Sequence, residues 1–284
     1  MLGAGMTPIS MERVAFVKMS GSGNDFILID HRSGGLDETL LEDFVAGICR
    51  RRLSVGADGV ILIEPSQTAD FRWRFFNADG STAEMCGNGA RCVARFAFQQ
   101  GICGRDLCFE TGAGIVYAQV SGTRVRVRLT EPHSLRLEVP IMLPGAALTL
   151  SSINTGVPHA VVIVAEVDDV DVAGRGREIR FHPEFAPEGV NVNFISRDPS
   201  GGIAIRTYER GVEGETLACG TGAVAGALVA SRRFGMSSPV PVRTRSGETL
   251  AVFFRQSEDG FHDIHQEGTA SFIYTGVLSP EAWR

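Results

Sequence analysis

Apolar residues recur along the chain in short runs that predict two similar series of β-strands. Within each series, the strands are indicated by alternating apolar and polar residues or by brief apolar runs bounded by Gly, Asp or Ser. The predicted strands are residues 13–19, 60–64, 71–76, 107–110, 115–120 and 124–129 in the first series, and 161–165, 192–195, 203–208, 240–244, 248–254 and 270–276 in the second.

Helical periodicity interrupts the strands at residues 38–52, 87–100 and 220–234. The last two segments occupy corresponding places in the two series, and each follows a glycine-rich turn. Short strands in quick succession, separated by Gly-containing turns, are typical of meanders and barrels. The expected fold class is therefore α/β (α+β), with a mostly antiparallel, barrel-like sheet in each half.

A repeat at a constant offset links the two series. The segment CGNGA at residues 86–90 returns as CGTGA at 219–223, which is 133 residues later. The same offset carries GNDFILI at 23–29 onto GVPHAVV at 156–162, and ADGVIL at 57–62 onto VNVNFI at 190–195. Three colinear matches indicate two duplicated, pseudo-symmetric domains.

The repeat divides the chain into domains at residues 1–131 and 132–269. The last predicted strand lies beyond the second copy, so we expect residues 270–284 to return to the first domain. Residues 1–12, which contain two glycines and a proline, have no counterpart in the repeat and are expected to be an extension without a role.

Composition narrows the class of protein. The chain is 44% hydrophobic and 21% charged, which is typical of a globular protein with a substantial core. It has no run of 18 apolar residues and no signal peptide pattern, so we expect a cytoplasmic protein without a membrane partner. The formal net charge of -6 argues against nucleic acid as a partner.

Lysine is nearly absent, because Lys18 is the only lysine among 27 basic residues. Enzymes that break bonds at the α-carbon of amino acids commonly use pyridoxal phosphate, which needs a lysine for its Schiff base. The alternation of residues 13–19 places Lys18 on the polar face of a strand, where we expect a surface position. The sequence thus favours a protein without a cofactor.

The six cysteines fall into two groups. No C-x-x-C motif occurs and the expected compartment is reducing, so neither disulfides nor a metal site is predicted. Cys49, Cys92, Cys103 and Cys108 are expected to be small buried hydrophobic residues. Cys86 and Cys219 differ, because each stands at the predicted start of a helix.

A helix N-terminus favours an anion, since its first N–H groups are unpaired and the helix dipole is positive there. Cysteines in such places have pKa values of roughly 3.5 to 7.5. The neighbouring glycines, Gly87, Gly89, Gly220 and Gly222, would let a ligand approach the backbone. Two acidic thiols on opposite sides of one carbon could invert it, one removing a proton and the other donating one. Helix capping by small residues and a redox pair are the alternatives.

At these residues the chain resembles the diaminopimelate epimerases, from about Phe16 to Gly276. The segments that carry the resemblance are GSGNDF at 21–26, FNADGS at 76–81 with MCGNGAR at 85–91, PH at 158–159, and YERG at 208–211 continuing through ET to CGTG at 219–222. Proline racemases and phenazine-biosynthesis isomerases share parts of this set.

The resemblance implies an isomerase of lysine and peptidoglycan precursor biosynthesis that interconverts LL- and meso-2,6-diaminopimelate without metal or pyridoxal phosphate. It implies domains whose sheets each enclose a central helix, with the site in the cleft between the domains, and a homodimer among the expected partners. The implied catalytic residues are Cys86, Cys219, His159 and Glu209, and the implied substrate-binding residues are Asn24, Asn77, Gly87, Asn88, Asn191, Glu209, Arg210, Gly220 and Thr221.

Two departures put the substrate in doubt. Val157 stands where many members of the family have asparagine, and Gly59 stands where some have glutamine. A racemase of another amino acid and a non-catalytic amino-acid-binding protein therefore remain as alternatives. Asn24 and Asn77 also stand beside glycine-rich turns, where asparagine commonly forms the turn itself.

Overall fold

The computed structural model describes residues 13–284, and the extension expected at residues 1–12 lies outside them. The described residues form two compact units, one of residues 13–125 with 270–284 and the other of residues 126–269. The boundary expected from the repeat, after residue 131, lies a few residues beyond the end of the first segment.

Strands and helices alternate in the same order in both units. The first unit contains β1 (Val14–Gly21), β2 (Asn24–Asp30), α1 (Leu41–Cys49), β3 (Gly59–Glu64), β4 (Phe71–Asn77), β5 (Thr82–Ala83), α2 (Gly87–Gln99), β6 (Asp106–Thr111) and β7 (Gly114–Ser121). A strand that spans the change of unit follows, β8 (Arg124–Arg128). The second unit contains β9 (His133–Leu143), β10 (Ala146–Asn154), β11 (Pro158–Ile163), α3 (Val172–Arg180), β12 (Asn191–Arg197), β13 (Ile203–Glu209), β14 (Gly214–Thr216), α4 (Gly220–Phe234), β15 (Val240–Arg243), β16 (Thr249–Ser257) and β17 (Gly260–Thr269). The last strand is β18 (Ser271–Leu278).

The sheet of the first unit runs β18, β1, β2, β3, β4, β6, β7. Its pairs are antiparallel except β2 with β3 and β4 with β6, which are parallel. Helix α2 contacts β1, β2, β3 and β7, so strands from across the sheet surround it. Helix α1 packs on the other face, where Phe44, Val45 and Ile48 meet Val60 and Leu62.

The sheet of the second unit repeats this arrangement as β9, β10, β11, β12, β13, β15, β16, β17. Here β11 with β12 and β13 with β15 are the parallel pairs. Helix α4 contacts seven strands of this sheet and is buried along nearly its whole length, from Gly222 to Ser231. Helix α3 covers the other face, against β12 and β13. The predicted fold class, two duplicated barrel-like domains around central helices, is confirmed.

The registers of the strands correct one detail of the repeat. Phe26 pairs with Gly59 in the first unit, and His159 pairs with Asn191 in the second. Phe26 and His159 are 133 positions apart, as are Cys86 and Cys219, whereas Gly59 and Asn191 are 132 apart. The match of 57–62 to 190–195 at an offset of 133 is therefore wrong by one residue, because the segment between the parallel strands is one residue shorter in the second unit.

Two helices differ from the sequence expectation. The helix predicted at 38–52 begins as a 3-10 turn and ends at Cys49, because Gly56 and Ala57 donate their N–H groups to the carbonyls of Ile48 and Cys49. The repeat predicts a helix at the place of α3, but the bounds of α3 were not predicted, since its two glycines hide its periodicity. One of them, Gly176, has a packing reason, because a β-carbon there would overlap the Tyr208 side chain. Within residues 13–284, no helix combines the length and apolarity needed to cross a membrane.

Lys18 is buried, so the expected surface position is wrong. Its Nζ lies 2.8 Å from Oδ2 of Asp25 and donates to the carbonyl of Gly56. Arg51 also contacts Asp25, at 2.6 Å. Burial by itself raises the pKa of Asp25, but the Arg51 and Lys18 hydrogen bonds outweigh this and hold that pKa below its usual value. A bulge between Lys18 and Met19 interrupts the register of β1 with β18 and accompanies this inward position.

We predict that Lys18→Met lowers the free energy of unfolding by roughly 2 kcal/mol at pH 7, because Asp25 and the Gly56 carbonyl lose a charged donor. The depressed pKa of Asp25 means that its stabilisation is present above about pH 4 and is lost as pH falls through the lower folded-state value. Urea unfolding from pH 7 down to pH 3 measures both effects.

Arg32→Met is the matched control, since Arg32 pairs with Asp30 on an exposed part of the surface, at 2.8 Å. Its effect is expected to stay below about 1 kcal/mol. Equal losses in the two variants at pH 7 would show that the buried pair adds nothing beyond a surface pair.

Candidate functional site

Each central helix has a cysteine as its N-cap residue. Cys86 and Cys219 are the residues before the first helical residue, and both have extended backbones, with φ/ψ of -146/117° and -119/116°. Such a conformation at the N-cap lets the chain leave a strand-like segment and enter the helix at once. The predicted placement of both sulfurs at helix starts is therefore what the structure has.

In the first unit, the sulfur of Cys86 accepts a hydrogen bond from the N–H of Gly89, at 3.5 Å. Asn88, in the first turn of α2, donates through Nδ2 to Oδ1 of Asn24, at 2.7 Å. Asn24 in turn donates to Oδ2 of Asp58, at 2.9 Å. Arg91, fully buried, donates to Oδ1 of Asn88 at 2.8 Å. A polar chain thus fixes the start of α2 against β2.

Asn77 is exposed at the end of β4. Its Nδ2 donates to Oγ of Ser81 at 3.0 Å, across the turn that leads to β5. The turn-forming alternative therefore describes its contact in the free protein. Two other substrate-binding candidates of this unit, Asn24 and Asn88, contact each other as described above.

In the second unit, two side chains hold the first turn of α4. Thr155 donates to the carbonyl of Thr221 at 3.0 Å, and Gln266 donates to the carbonyl of Gly220 at 2.8 Å. The sulfur of Cys219 lies 3.6 Å from Oγ1 of Thr221. The sulfur of Cys219 is thus placed by a helix start that side chains from β17 and the segment after β10 anchor.

His159 is fully buried in β11 and belongs to a polar group beneath α4. Its Nδ1 lies 3.0 Å from Nδ2 of Asn193, and Oδ1 of Asn193 accepts from Thr207 at 3.0 Å. Burial, reinforced by the positive charge of Arg210, lowers the pKa of His159 to about 3. The imidazole is therefore neutral at physiological pH.

Glu209 ends β13 beside two other candidates. Burial raises its pKa, and the neighbouring Thr216 hydroxyl offsets part of the rise without meeting hydrogen-bond geometry. Asn191 accepts from the N–H of Arg210 at 2.9 Å and donates to the carbonyl of Pro158 at 3.4 Å. The structure thus brings Asn191 and Arg210 together, next to the strand that carries His159.

Glycine was expected at the two helix starts because it lets a ligand approach the backbone. The structure adds a second cause, since larger residues would collide with neighbouring side chains. A β-carbon at Gly222 would overlap Oδ1 of Asn193. A β-carbon at Gly89 would lie 3.2 Å from a methyl group of Ile61 and 3.4 Å from the ring of Trp73. The third residue of each helix is therefore glycine because a strand side chain packs directly beneath it.

One of the two departures from the family pattern, Gly59, has a local explanation. At Gly59 a β-carbon would overlap the carbonyl of Phe76 and approach the Phe75 ring, so a glutamine does not fit this backbone. Near Val157, Oδ1 of Asn154 accepts from the N–H of Gly156 at 2.9 Å. The acceptor atom of Asn154 is thus used in a turn.

The other four cysteines divide by burial. Cys49 and Cys92 are buried as expected, whereas Cys103 and Cys108 are only half-buried. Burial raises the pKa of Cys49 to about 12 and that of Cys103 to about 11. These two sulfurs are therefore protonated at neutral pH.

Among the described residues, His31, Glu38 and Glu64 form a group of potential metal ligands. Arg74 contacts both carboxylates, at 2.7 and 2.9 Å, and Nε2 of His31 accepts from the N–H of Leu36. The Arg74 guanidinium and the Leu36 N–H thus already bind the carboxylates and the imidazole nitrogen that a cation would need as ligands.

Sequence reasoning missed the side chains that support the site. A signal for Asn193 was present, because asparagines at 191 and 193 alternate with the apolar residues Val192 and Phe194. The supporting contacts of the other residues were not predicted, because most of their partners lie in other segments of the chain. These other residues are Asp58, Arg91, Thr155, Thr207 and Gln266.

Solved structures share this fold at low sequence identity. A phenazine biosynthesis protein of the PhzF family from Bacillus anthracis is 17% identical, with a TM-score of 0.72 over 94% of this chain and 99% of that one. A probable proline racemase from Agrobacterium radiobacter K84 is 18% identical, with a TM-score of 0.68 over 95% of each chain. These likenesses support the duplicated fold.

Sequence relatives are much closer. A diaminopimelate epimerase of Aquifex aeolicus is 48% identical over 94% of this chain and 98% of its own length, and one of Archaeoglobus fulgidus is 42% identical over 94% and 96%. The family model described as diaminopimelate epimerase matches residues 16–134 and 151–273. The chain belongs to the diaminopimelate epimerase family.

Proposed function

We propose that the protein is an isomerase that interconverts LL- and meso-2,6-diaminopimelate at one α-carbon, without pyridoxal phosphate, for lysine and peptidoglycan precursor biosynthesis. One observation carries the proposal: in a chain of this family, each of the two duplicated units starts its central helix at a cysteine with the same extended backbone. A pair of sulfurs, one from each unit, suits a reaction in which a proton leaves one face of a carbon and another arrives at the opposite face.

In this mechanism Cys86 and Cys219 act on opposite faces of the same α-carbon. The thiolate of one cysteine removes the α-proton, the C–H electron pair stays on carbon, and the thiol of the other delivers its proton from the far side. The configuration is inverted, and the two sulfurs have exchanged protonation states. Each half-reaction is general acid–base catalysis, which commonly contributes 10²–10⁴-fold.

The reacting carboxylate is bound by the N–H groups at the two helix starts, from Gly87, Asn88, Gly220 and Thr221. These groups and the helix dipoles also stabilise the negative charge that develops when the proton leaves. The hydrogen bonds of Asn24, Thr155 and Gln266 to the first turns of α2 and α4 support this role. A carboxylate site formed by backbone N–H groups requires a rigid backbone.

The distal amino-acid group is bound by Asn24, Asn77, Asn191 and Arg210. A zwitterion needs both donors and acceptors, which asparagine provides, and arginine can bind a carboxylate through two parallel hydrogen bonds. The contact of Asn191 with the backbone of Arg210 supports a shared role for these two residues.

His159 and Glu209 complete the catalytic set by controlling proton positions around the cysteines. The neutral state of His159 and the raised pKa of Glu209 mark a region where charge is costly, which is common around groups that exchange protons. A cytoplasmic location and a homodimer stay predictions.

We predict that the protein incorporates deuterium from D₂O at one α-carbon of LL-diaminopimelate while forming the meso isomer. Cys86→Ala and Cys219→Ala should each lower the rate of isomerisation by at least about 10²-fold, because each removes one of the two proton carriers. Mass spectrometry and chiral chromatography follow the two products.

Cys108→Ser is the control, since Cys108 is half-buried on β6 and does not lie at a helix start, and this variant should keep the rate of the unmodified protein. Exchange with another amino acid, and none with diaminopimelate, would overturn the substrate assignment and favour the racemase alternative. Binding of diaminopimelate without any exchange would favour the non-catalytic one.

We also predict that an electrophile shaped like the substrate alkylates Cys86 or Cys219 well before the other cysteines. Cys49 and Cys103 remain thiols at neutral pH because burial raises their pKa values. Only the thiolate reacts rapidly, so these two provide internal controls. Peptide mass spectrometry over time gives the order, and equal labelling of all six would contradict the proposal.

Glu209→Gln should separate activity from stability. Because burial raises the pKa of this carboxyl in the folded protein, ionising it costs more there than in the unfolded chain. This loss of folding stability is absent below about pH 4, where Glu209 is protonated in both states. It develops as pH rises through the pKa of Glu209 in the unfolded chain and then through its higher pKa in the folded protein. The variant should thus gain stability relative to the unmodified protein between pH 4 and pH 8.

The same variant should lose at least about tenfold in kcat, since an amide cannot exchange a proton. Thermal melts at pH 4 and pH 8, together with the isomerisation assay, measure both changes. A variant that keeps full activity would remove Glu209 from the catalytic set.

A further inference from the structure

The site beneath α4 has a polar layer that its duplicated counterpart lacks. His159, Asn193 and Thr207 lie in β11, β12 and β13, and Asn193 is paired with Thr207 and with Val161 in the sheet registers. The registers make Phe26, Ile61 and Phe75 their counterparts in the first unit. Those three are buried apolar residues, and the Phe26 and Phe75 rings meet edge to face at 5.9 Å.

The fold therefore does not need polar residues at these positions. An apolar layer fills the same space beneath α2, where Ile61 contacts Gly89 as Asn193 contacts Gly222. Buried polar groups cost stability unless every member is bonded, so an apolar layer would be the simpler solution. Because the fold does not require the polar layer of the second unit, we expect that layer to serve the function of the protein.

Asn193 is held in one orientation. Its Nδ2 donates to the carbonyl of Ala160 at 3.1 Å, and a carbonyl can only accept. Its amide oxygen consequently faces Thr207, whose hydroxyl donates to it. The second hydrogen of Nδ2 is then directed at Nδ1 of His159, at 3.0 Å.

A neutral imidazole that accepts at Nδ1 carries its hydrogen on Nε2. The Nε2 atom of His159 is buried and has no hydrogen-bond partner among the residues that the structure describes. A buried donor without a partner costs roughly 1–3 kcal/mol, so such an atom needs an explanation. A ligand or an ionised side chain that accepts from it during the reaction supplies one.

We infer that Asn193 is a positioning residue that fixes His159 in the tautomer with hydrogen on Nε2, so that His159 offers the site a hydrogen-bond donor and not a base. The inference rests on the proposed function for its catalytic consequence. The acceptor is an anion of the reaction, either a thiolate sulfur or a carboxylate oxygen of the substrate.

Asn193 also connects this donor to the start of α4. Its amide oxygen lies against Gly222, three residues after Cys219, so the amide sits between the imidazole and the first turn of the helix. One side chain thereby sets both the hydrogen on His159 and the packing distance of the helix that carries the sulfur.

The test is nitrogen NMR of the full chain labelled with ¹⁵N-histidine, at neutral pH. The His159 signals are identified by their loss in His159→Gln. The expected spectrum has a protonated Nε2 and an unprotonated, accepting Nδ1. A protonated Nδ1 in the unmodified protein, or a doubly protonated ring, would overturn the inference without any activity measurement.

Asn193→Ile is the variant to compare, because isoleucine fills the equivalent position in the first unit. Without the amide donor, His159 should populate both tautomers, and kcat with LL-diaminopimelate should fall by about 10²-fold. KM should change less than about threefold, because the lost effect belongs to the transition state. An unchanged kcat, or a fall in kcat with an unchanged tautomer, would overturn the inference.

Thr207→Val is the matched control, because it removes a buried hydrogen bond on the far side of the Asn193 amide and leaves Ala160 to orient that amide. It should lower the melting temperature and keep the Nε2-protonated spectrum. If the unmodified protein does not turn over diaminopimelate but shows the tautomer and loses it in Asn193→Ile, the proposed substrate fails and the positioning role stands. A tautomer lost equally in Thr207→Val would assign the effect to packing and overturn the role of the amide.

Discussion

The enclosure of a helix by its own sheet is the constraint on which the rest of this structure depends. A helix such as α4, buried from Gly222 to Ser231, satisfies its backbone along its length but leaves the first N–H groups without helical partners. Those groups must meet a side chain, solvent or a ligand. The chain puts cysteine at this point in both units, so a cysteine sulfur lies at the start of each enclosed helix.

Duplication supplied two equal scaffolds, and divergence made their supporting layers unequal. Beneath α2 the layer is apolar, with Phe26, Ile61 and Phe75. Beneath α4 it contains an imidazole whose pKa burial lowers to about 3, together with an amide that bonds it. The two sulfurs therefore have chemically different surroundings although the helix starts that carry them have the same geometry. The proposed reaction needs one sulfur on each face of a carbon, and this does not require that the two sulfurs have equivalent neighbours.

Much of this arrangement could be predicted from sequence because it has a local cause. The repeated CGNGA and CGTGA segments specify a turn, a cap and a helix, and α4 has the predicted bounds. What failed depends on distant partners. Lys18 lies on the polar side of an alternating strand, yet Asp25 and Gly56 draw it into the interior. The one-residue difference in offset between the copies is visible only in the strand registers. The polar layer under α4 is formed by residues of three strands, and its first and last members, His159 and Thr207, are 48 positions apart in the sequence.

The place of β18 has a consequence for how the protein is made. This strand follows the whole second unit in sequence, yet it pairs with β1, the first strand of the described residues, from Val14 to Ser20. During synthesis the sheet of the first unit therefore stays one strand short until β18 has been translated, and residues 126–269 emerge before that strand. The edge of β1 is left open over this interval, and open edges recruit other chains. Pairing of β18 with β1 closes that edge, so the sheet of the first unit can be completed only after the second unit has been synthesised.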